Sequence, residues 1–402
     1  MAKNVNSEEG IGMRRLVLCL VLCVALITPA LAENVIQLTV WGSQGDQDIL
    51  AALVQEFKRD HPDQRYDITL QAVEEPDLWD RYQQDPEGMA DIFAFPSDQM
   101  IGLVNSSALL PVGESRDAII AENTPTSVLS ATADDTLYAY PMTEDNGYFL
   151  YYDSSVLTAE DVASLDGILA KAKASDKKVF MDISNGWYVA SFFFGAGCSL
   201  DVDEAGRQVC DFNSDAGIAA GEAVRAFTAH PAFLPGDDGT LVSGMGDVIC
   251  AGVSGTWNSE AIRKKLGDNY SACKLPTYTL NGRQAQMGSF SGTKLIGVSP
   301  MTAHPAEADV LAAYLTGEHA QIIRYKVRSL GPSNVNAAAF QEIQDNVALA
   351  ALMEQKEHSA TPKVVGSAFW EAALVFGEAM ENHSPEDMSA LLNELVMTTA
   401  GY

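Results

Sequence analysis

Positive charge is scarce in this chain. Twenty-five Lys and Arg residues face 54 Asp and Glu across 402 residues, a formal net charge of −29. Nucleic acid and anionic lipid both need a Lys/Arg footprint, so a surface this acidic repels them. Cysteine is scarce as well. The six cysteines show no C-x₂-C spacing and have no histidine beside them, so no metal site is expected. The six histidines (His61, His230, His304, His319, His358, His383) are scattered, and none falls in an H-E-x-x-H pattern. No nucleophile elbow occurs, since Gly288-Ser289-Phe290-Ser291-Gly292 misplaces its serine. Gly195-Ala196-Gly197 and Gly244-Met245-Gly246 lack the third glycine of a dinucleotide fingerprint. Asp201-Val202-Asp203-Glu204-Ala205-Gly206 opens like a calcium loop, but Ala205 and Phe212 stand where two ligands belong. No cofactor is expected, and the chain reads as a non-enzyme. Carboxylate pairs of the glycosidase kind stay open, because acids are plentiful and sequence spacing does not give separation in space.

Long apolar runs are confined to the N-terminus. Met13-Arg14-Arg15 precedes an apolar stretch at 16–27, and Ala30-Leu31-Ala32 supplies a small-x-small cleavage signal. Residues 1–32 are therefore read as a secretory signal peptide, with Met13 as the true start of translation. The run is short for a membrane span and stops at Pro29, and no lipobox surrounds Cys19 or Cys23. An extracytoplasmic protein is expected, in the periplasm or at the cell exterior, of about 370 residues, enough for two domains. Cys198, Cys210, Cys250 and Cys273 remain in it, an even number in an exported chain. Disulfides Cys198–Cys210 and Cys250–Cys273 are expected, because each closes a short local loop.

The mature region alternates strand and helix. Ile36-Gln37-Leu38-Thr39-Val40-Trp41 reads as a buried strand, and Ile49, Leu50, Leu53, Val54 and Phe57 form one stripe of the helix after it. Further strands are expected at 66–70, 91–95, 178–182, 248–254 and 294–298. This rhythm argues for an α/β fold of mostly parallel sheets with helices on both faces, where ligands bind at the carboxyl ends of strands. Aromatic residues stand beside Gly, Pro, Asp or Asn at strand ends or helix starts: Trp41, Phe95, Trp187-Tyr188, Trp257 and Trp370. A sugar ring packs its C–H face on an aromatic ring, while flanking carboxylates and amides fix its hydroxyls. Trp257 and Trp370 are expected to contact ligand, and so is Trp187 or Tyr188. Phe95 divides evenly between ligand and core. Trp41 is expected in the core, and Trp79 between a helix and its sheet. Candidate polar partners are Asp98, Asp145, Asn146, Gln44 and Asp46, each of which competes with a helix-cap or turn role.

Taken in order and spacing, several motifs carry a resemblance. They are Leu38-Thr39-Val40-Trp41, Asp91-Ile92-Phe93-Ala94-Phe95-Pro96-Ser97-Asp98, Leu137-Tyr138-Ala139-Tyr140-Pro141, Trp257 after its glycine turn, Lys274-Leu275-Pro276-Thr277-Tyr278, and Ser367-Ala368-Phe369-Trp370. From residue 38 to the end, the chain resembles the maltose/maltodextrin-binding proteins of ABC importers, within the extracellular solute-binding family. The resemblance implies a two-lobed, periplasmic-binding-protein-like fold with a hinge and a central ligand cleft. Residues 33–143 with 293–340 would form the N-terminal lobe and 146–290 with 346–402 the C-terminal lobe. Crossovers near 144, 291 and 343 would form the hinge. It implies stacking by Trp257 and Trp370, a hydroxyl-binding role for Asp98, and a smaller platform at Phe95. Asp145 or Asn146 falls at a family acid, while Gln44 and Asp46 match the first binding loop loosely. Its expected partners are a maltooligosaccharide and a membrane permease, and the protein itself is expected to be a monomer.

Overall fold

The computed structural model describes residues 1, 35–203, 207–360 and 365–400. All of the expected leader but Met1 lies outside the described residues, as do Glu204, Ala205 and Gly206 of the calcium-like turn.

Strand β1 (Val35–Gly42) runs into helix α1 (Gln47–Asp60) and returns as β2 (Arg65–Ala72). The five apolar residues of the α1 stripe are all buried, and β1 pairs with β2 in parallel along its full length. After helix α2 (Leu78–Gln84) comes β3 (Ile92–Pro96), also parallel to β1. The next strand, β4 (Ala139–Asp153), is 15 residues long and runs through both halves of the molecule. In the second half lie β5 (Lys178–Phe180), α3 (Gly186–Gly195), β6 (Phe233–Leu234), α4 (Asp238–Gly244), β7 (Ile249–Gly255) and β8 (Tyr270–Cys273). The chain crosses back on β9 (Ser289–Val298), continues through α5 (Pro305–Thr316) and α6 (Glu318–Arg328), and ends with α7 (Val347–Lys356) and α8 (Ser367–Glu381) before a last helix.

The strands lie in the order β6-β5-β7-β4-β9-β3-β1-β2, with β8 also on β4. Apolar burial divides this continuous sheet in two. One core gathers Leu38, Val40, Phe57, Phe93, Phe95 and Leu295. In the second half, alternate residues of β4 serve opposite faces, as the two-residue strand period requires. Tyr148 and Leu150 pack with α3 and α8, whereas Phe149 and Tyr151 pack with Leu241, Ile262 and α7. The result is a mixed α/β fold of two lobes. Among the described residues no helix is long and apolar enough to cross a membrane.

Cys198, Cys210, Cys250 and Cys273 are free thiols, so neither expected disulfide is formed. Cys273 pairs with Leu150 on one side of β4, while Cys250 lies on β7 along the other side, next to Ala251, which pairs with Tyr152. Two strand spacings alone put them at least about 9.5 Å apart, and their offset along β4 adds to that, beyond the reach of about 7 Å that a disulfide allows. Cys210 faces Leu200 rather than Cys198, whose Sγ lies 3.7 Å from the Ser214 hydroxyl. Burial pushes the Cys210 thiol up to about 12 and the Cys250 thiol to about 11.

Candidate functional site

Between the lobes lies a cleft of about 470 Å³. Three indoles line it, all on the second lobe. Trp257 follows β7, whose backbone is wholly buried, and its ring folds back across Gly255. A Cβ on Gly255 would lie 2.0 Å from that ring, so the glycine permits the approach. The Trp257 Nε1 donates to Asp238 Oδ2 at 2.8 Å, and the Lys294 ammonium stands 6.0 Å from the ring centroid. Asp238 opens α4, and its other oxygen accepts from the Ser254 hydroxyl at 3.1 Å and the Tyr188 hydroxyl at 3.4 Å. This carboxylate fixes the indole.

Trp187 sits in the first turn of α3, capped by Asn185, whose Oδ1 accepts from the Trp187 amide at 3.0 Å. Phe290 covers one face of Trp187 in a near-parallel stack, 4.8 Å between centroids and 9° between planes. Trp370, in the first turns of α8, packs 5.6 Å from Phe290 and 6.3 Å from Trp187. Each indole is thus held from behind and half-buried. Tyr188 reaches the cleft only at its edge, being 3% exposed, and burial raises its phenol well above 10.

The first lobe and the strand shared by the two lobes supply the polar wall. Asp98 lies in the tight turn after β3. Burial pushes its carboxyl up to about 6, and its own backbone amide is the one group there that favours the ionised form. Gln99 donates through Nε2 to the Pro76 carbonyl at 2.8 Å, while its Oε1 is buried without a partner. Asn146 lines the cleft from β4, and Lys294 from β9 lies 3.9 Å from Glu75.

Other candidates sit elsewhere. Phe95 is fully buried, because every residue of β3 is covered, and it packs 6.0 Å from Phe93. Asp46 is 2% exposed and receives hydrogen bonds from Arg324 (2.9 Å) and Arg328. Burial alone would raise its pKa, but the two guanidiniums reverse that and hold it below the usual carboxylate value. Asp145 is 1% exposed and accepts from the Thr256 hydroxyl and the Gly331 amide, both at 2.7 Å. It ties the strand between the lobes, while its neighbour Asn146 faces the ligand space. Gln44 is exposed outside the cleft lining, and its amide donates to Glu74 at 2.9 Å. Trp41 is a core residue with its Nε1 on Gln71.

Sequence reasoning missed Asp238, Asn185, Lys294, Arg328 and the Phe290 backing. Of these only Asp238 left a sequence cue, the Pro235-Gly236-Asp237 helix start before it.

A family model described as bacterial extracellular solute-binding protein matches residues 52–351. The chain belongs to this family. Its structural neighbours are maltose-, maltodextrin- and acarbose-binding proteins over most of the chain. A protein solved with acarbose is similar at 28% identity and a TM-score of 0.83, covering 92% of this chain and 99% of its own. Maltodextrin binding protein MalE1 from L. casei BL23 shares 23% identity with a TM-score of 0.77, over 91% and 99% of the two chains. The GacH receptor of Streptomyces glaucescens, solved unliganded and with acarbose, shares 17% with a TM-score of 0.78, over 92% and 99%. No curated protein is a significant sequence match.

Proposed function

We propose that this solute-binding protein is a non-enzymatic, extracytoplasmic receptor, exported on a cleaved signal peptide, that captures maltose and maltodextrins and delivers them to an ABC permease. The observation that carries this reading is the pairing of wall types across one cleft. Indoles held from behind offer flat apolar faces, and with them the same cleft is lined by the Asp98 carboxylate and the Gln99 and Asn146 amides. Sugar rings need both at once. In this reading Trp257, Trp370 and Trp187 stack on rings, Tyr188 completes the platform's edge, and Asp98 and Asn146 hold hydroxyls. Residues 33–143 with 293–340 and 146–290 with 346–402 act as two bodies about crossovers near 144, 291 and 343. Ligand bridging both walls stabilises the closed form, and the permease reads that form. The protein acts as a monomer without a cofactor.

The glycosidase alternative would need two free carboxylates in the cleft. Of the cleft's carboxylates besides Asp98, Asp238 has both oxygens engaged by the protein, Glu75 faces the Lys294 ammonium and Glu74 accepts from the Gln44 amide. Acarbose remains a second candidate ligand, because a relative was solved with it. Isothermal titration with maltose, maltotriose, maltotetraose, cellobiose and acarbose, with tryptophan emission in parallel, tests the proposal. Binding of the α-linked sugars with an emission shift is expected. Silence toward all of them, or product release on long incubation, would overturn it.

A further inference from the structure

The cleft does not end at Trp370. A second hollow of about 260 Å³ continues from it, sharing Pro76, Asp98, Gln99 and Trp370 with the main cavity. Its new walls are Trp79 of α2 on the first lobe and the start of α8 on the second. Trp79 was expected only to pack a helix against its sheet, and one edge does that. The ring rests over Gly102, where a Cβ would come within 3.2 Å, and it stacks on Tyr82 at 5.8 Å. The indole is nonetheless only partly buried and lines the hollow.

We propose that this hollow is a further sugar subsite with Trp79 as its platform, so that the preferred ligand is an α-glucan longer than a disaccharide. The inference rests on the oligosaccharide reading above. The hollow is more than half the size of the main cavity, so if that cavity takes two rings, the hollow has room for another. Aromatic rings from both lobes, Trp79 and Trp370, line it. Gln99 lies on the boundary, with its Oε1 buried and without a partner among the described residues. A buried acceptor left unpaired is unfavourable, and a hydroxyl of a chain passing from one compartment to the next would satisfy it.

The test is the ratio of the maltose Kd to the maltotetraose Kd, measured by titration for the wild type, Trp79→Ala and Trp79→Leu. The wild type is expected to bind maltotetraose more tightly, and both variants to lose at least fivefold of that ratio. A structural defect would weaken both ligands equally and leave the ratio intact, which would overturn the subsite. So would a wild type that binds the two sugars equally. A wild type that binds neither would defeat the underlying oligosaccharide reading instead.

Discussion

Replacing Trp257 by alanine separates a ligand platform from a core residue. The indole is half-buried, with its rear edge over Gly255 and its Nε1 on Asp238. A sugar ring laid on its free face would cover roughly 60–100 Å² of the 150–250 Å² that a tryptophan can bury. At about 25 cal/mol per Å², that is about 1.5–2.5 kcal/mol, or a 10- to 60-fold rise in Kd. The apo protein should lose little, because Asp238 keeps its bond from Ser254 and its freed oxygen lies at the edge of an open cleft. Titration calorimetry with maltotetraose and thermal unfolding without ligand are the paired assays. Trp257→Phe, which keeps an apolar face but not the donor, should retain most of the affinity. A core tryptophan would cost about 3–5 kcal/mol on truncation. In a chain of this size that would lower Tm by several degrees, at roughly 2 °C per kcal/mol. A Tm loss of that size, or an unchanged Kd, would refute the argument.

Asp98 should make binding pH-dependent. Its carboxyl titrates near 6 in the free protein, and a sugar hydroxyl donated to it favours the ionised form. Bound ligand would therefore lower its pKa, and affinity should fall as pH drops below 6, by up to roughly tenfold per unit at the steepest. Titration from pH 7.5 to 4.5 should show the fall in the wild type and a flat profile in Asp98→Asn. Asp46→Asn should cost about 3–5 kcal/mol of stability, because it strips the counter-charge from Arg324 and Arg328. Asp46 has a depressed pKa, so its contribution is present above about pH 4 and lost as pH falls through the folded value. Chemical denaturation at pH 7 and pH 3 should show the variant's deficit shrinking at the lower pH. Peptide mapping without reduction should find no Cys250–Cys273 cross-link; finding one would contradict the order of strands around β4.

Much was legible in the chain itself wherever the determining physics is local. The α1 stripe, the parallel pairing of β1 with β2 and the placement of aromatics at strand ends and helix starts follow from apolar period and turn chemistry. Indoles beside glycine, in a sequence without a catalytic motif, pointed to ligand capture. Residue-by-residue roles were not legible, because they depend on which way a side chain faces once distant segments meet. Asp145 and Asn146 are neighbours, yet strand alternation turns one into the tie between lobes and the other into the cleft. Phe95 and Asp98 share one motif, but every β3 residue is covered, while the turn after it opens to the cleft. Asp46 meets Arg324 and Arg328 across about 280 residues of sequence. The cysteines mislead for the same reason: Cys250 and Cys273 are close in the chain, and β4 lies between them. The sequence by itself determined the elements and the kinds of side chain available for a sugar. Only the tertiary structure decided which of them face the cleft, because a sheet assembled from segments far apart sets orientations that no local pattern encodes.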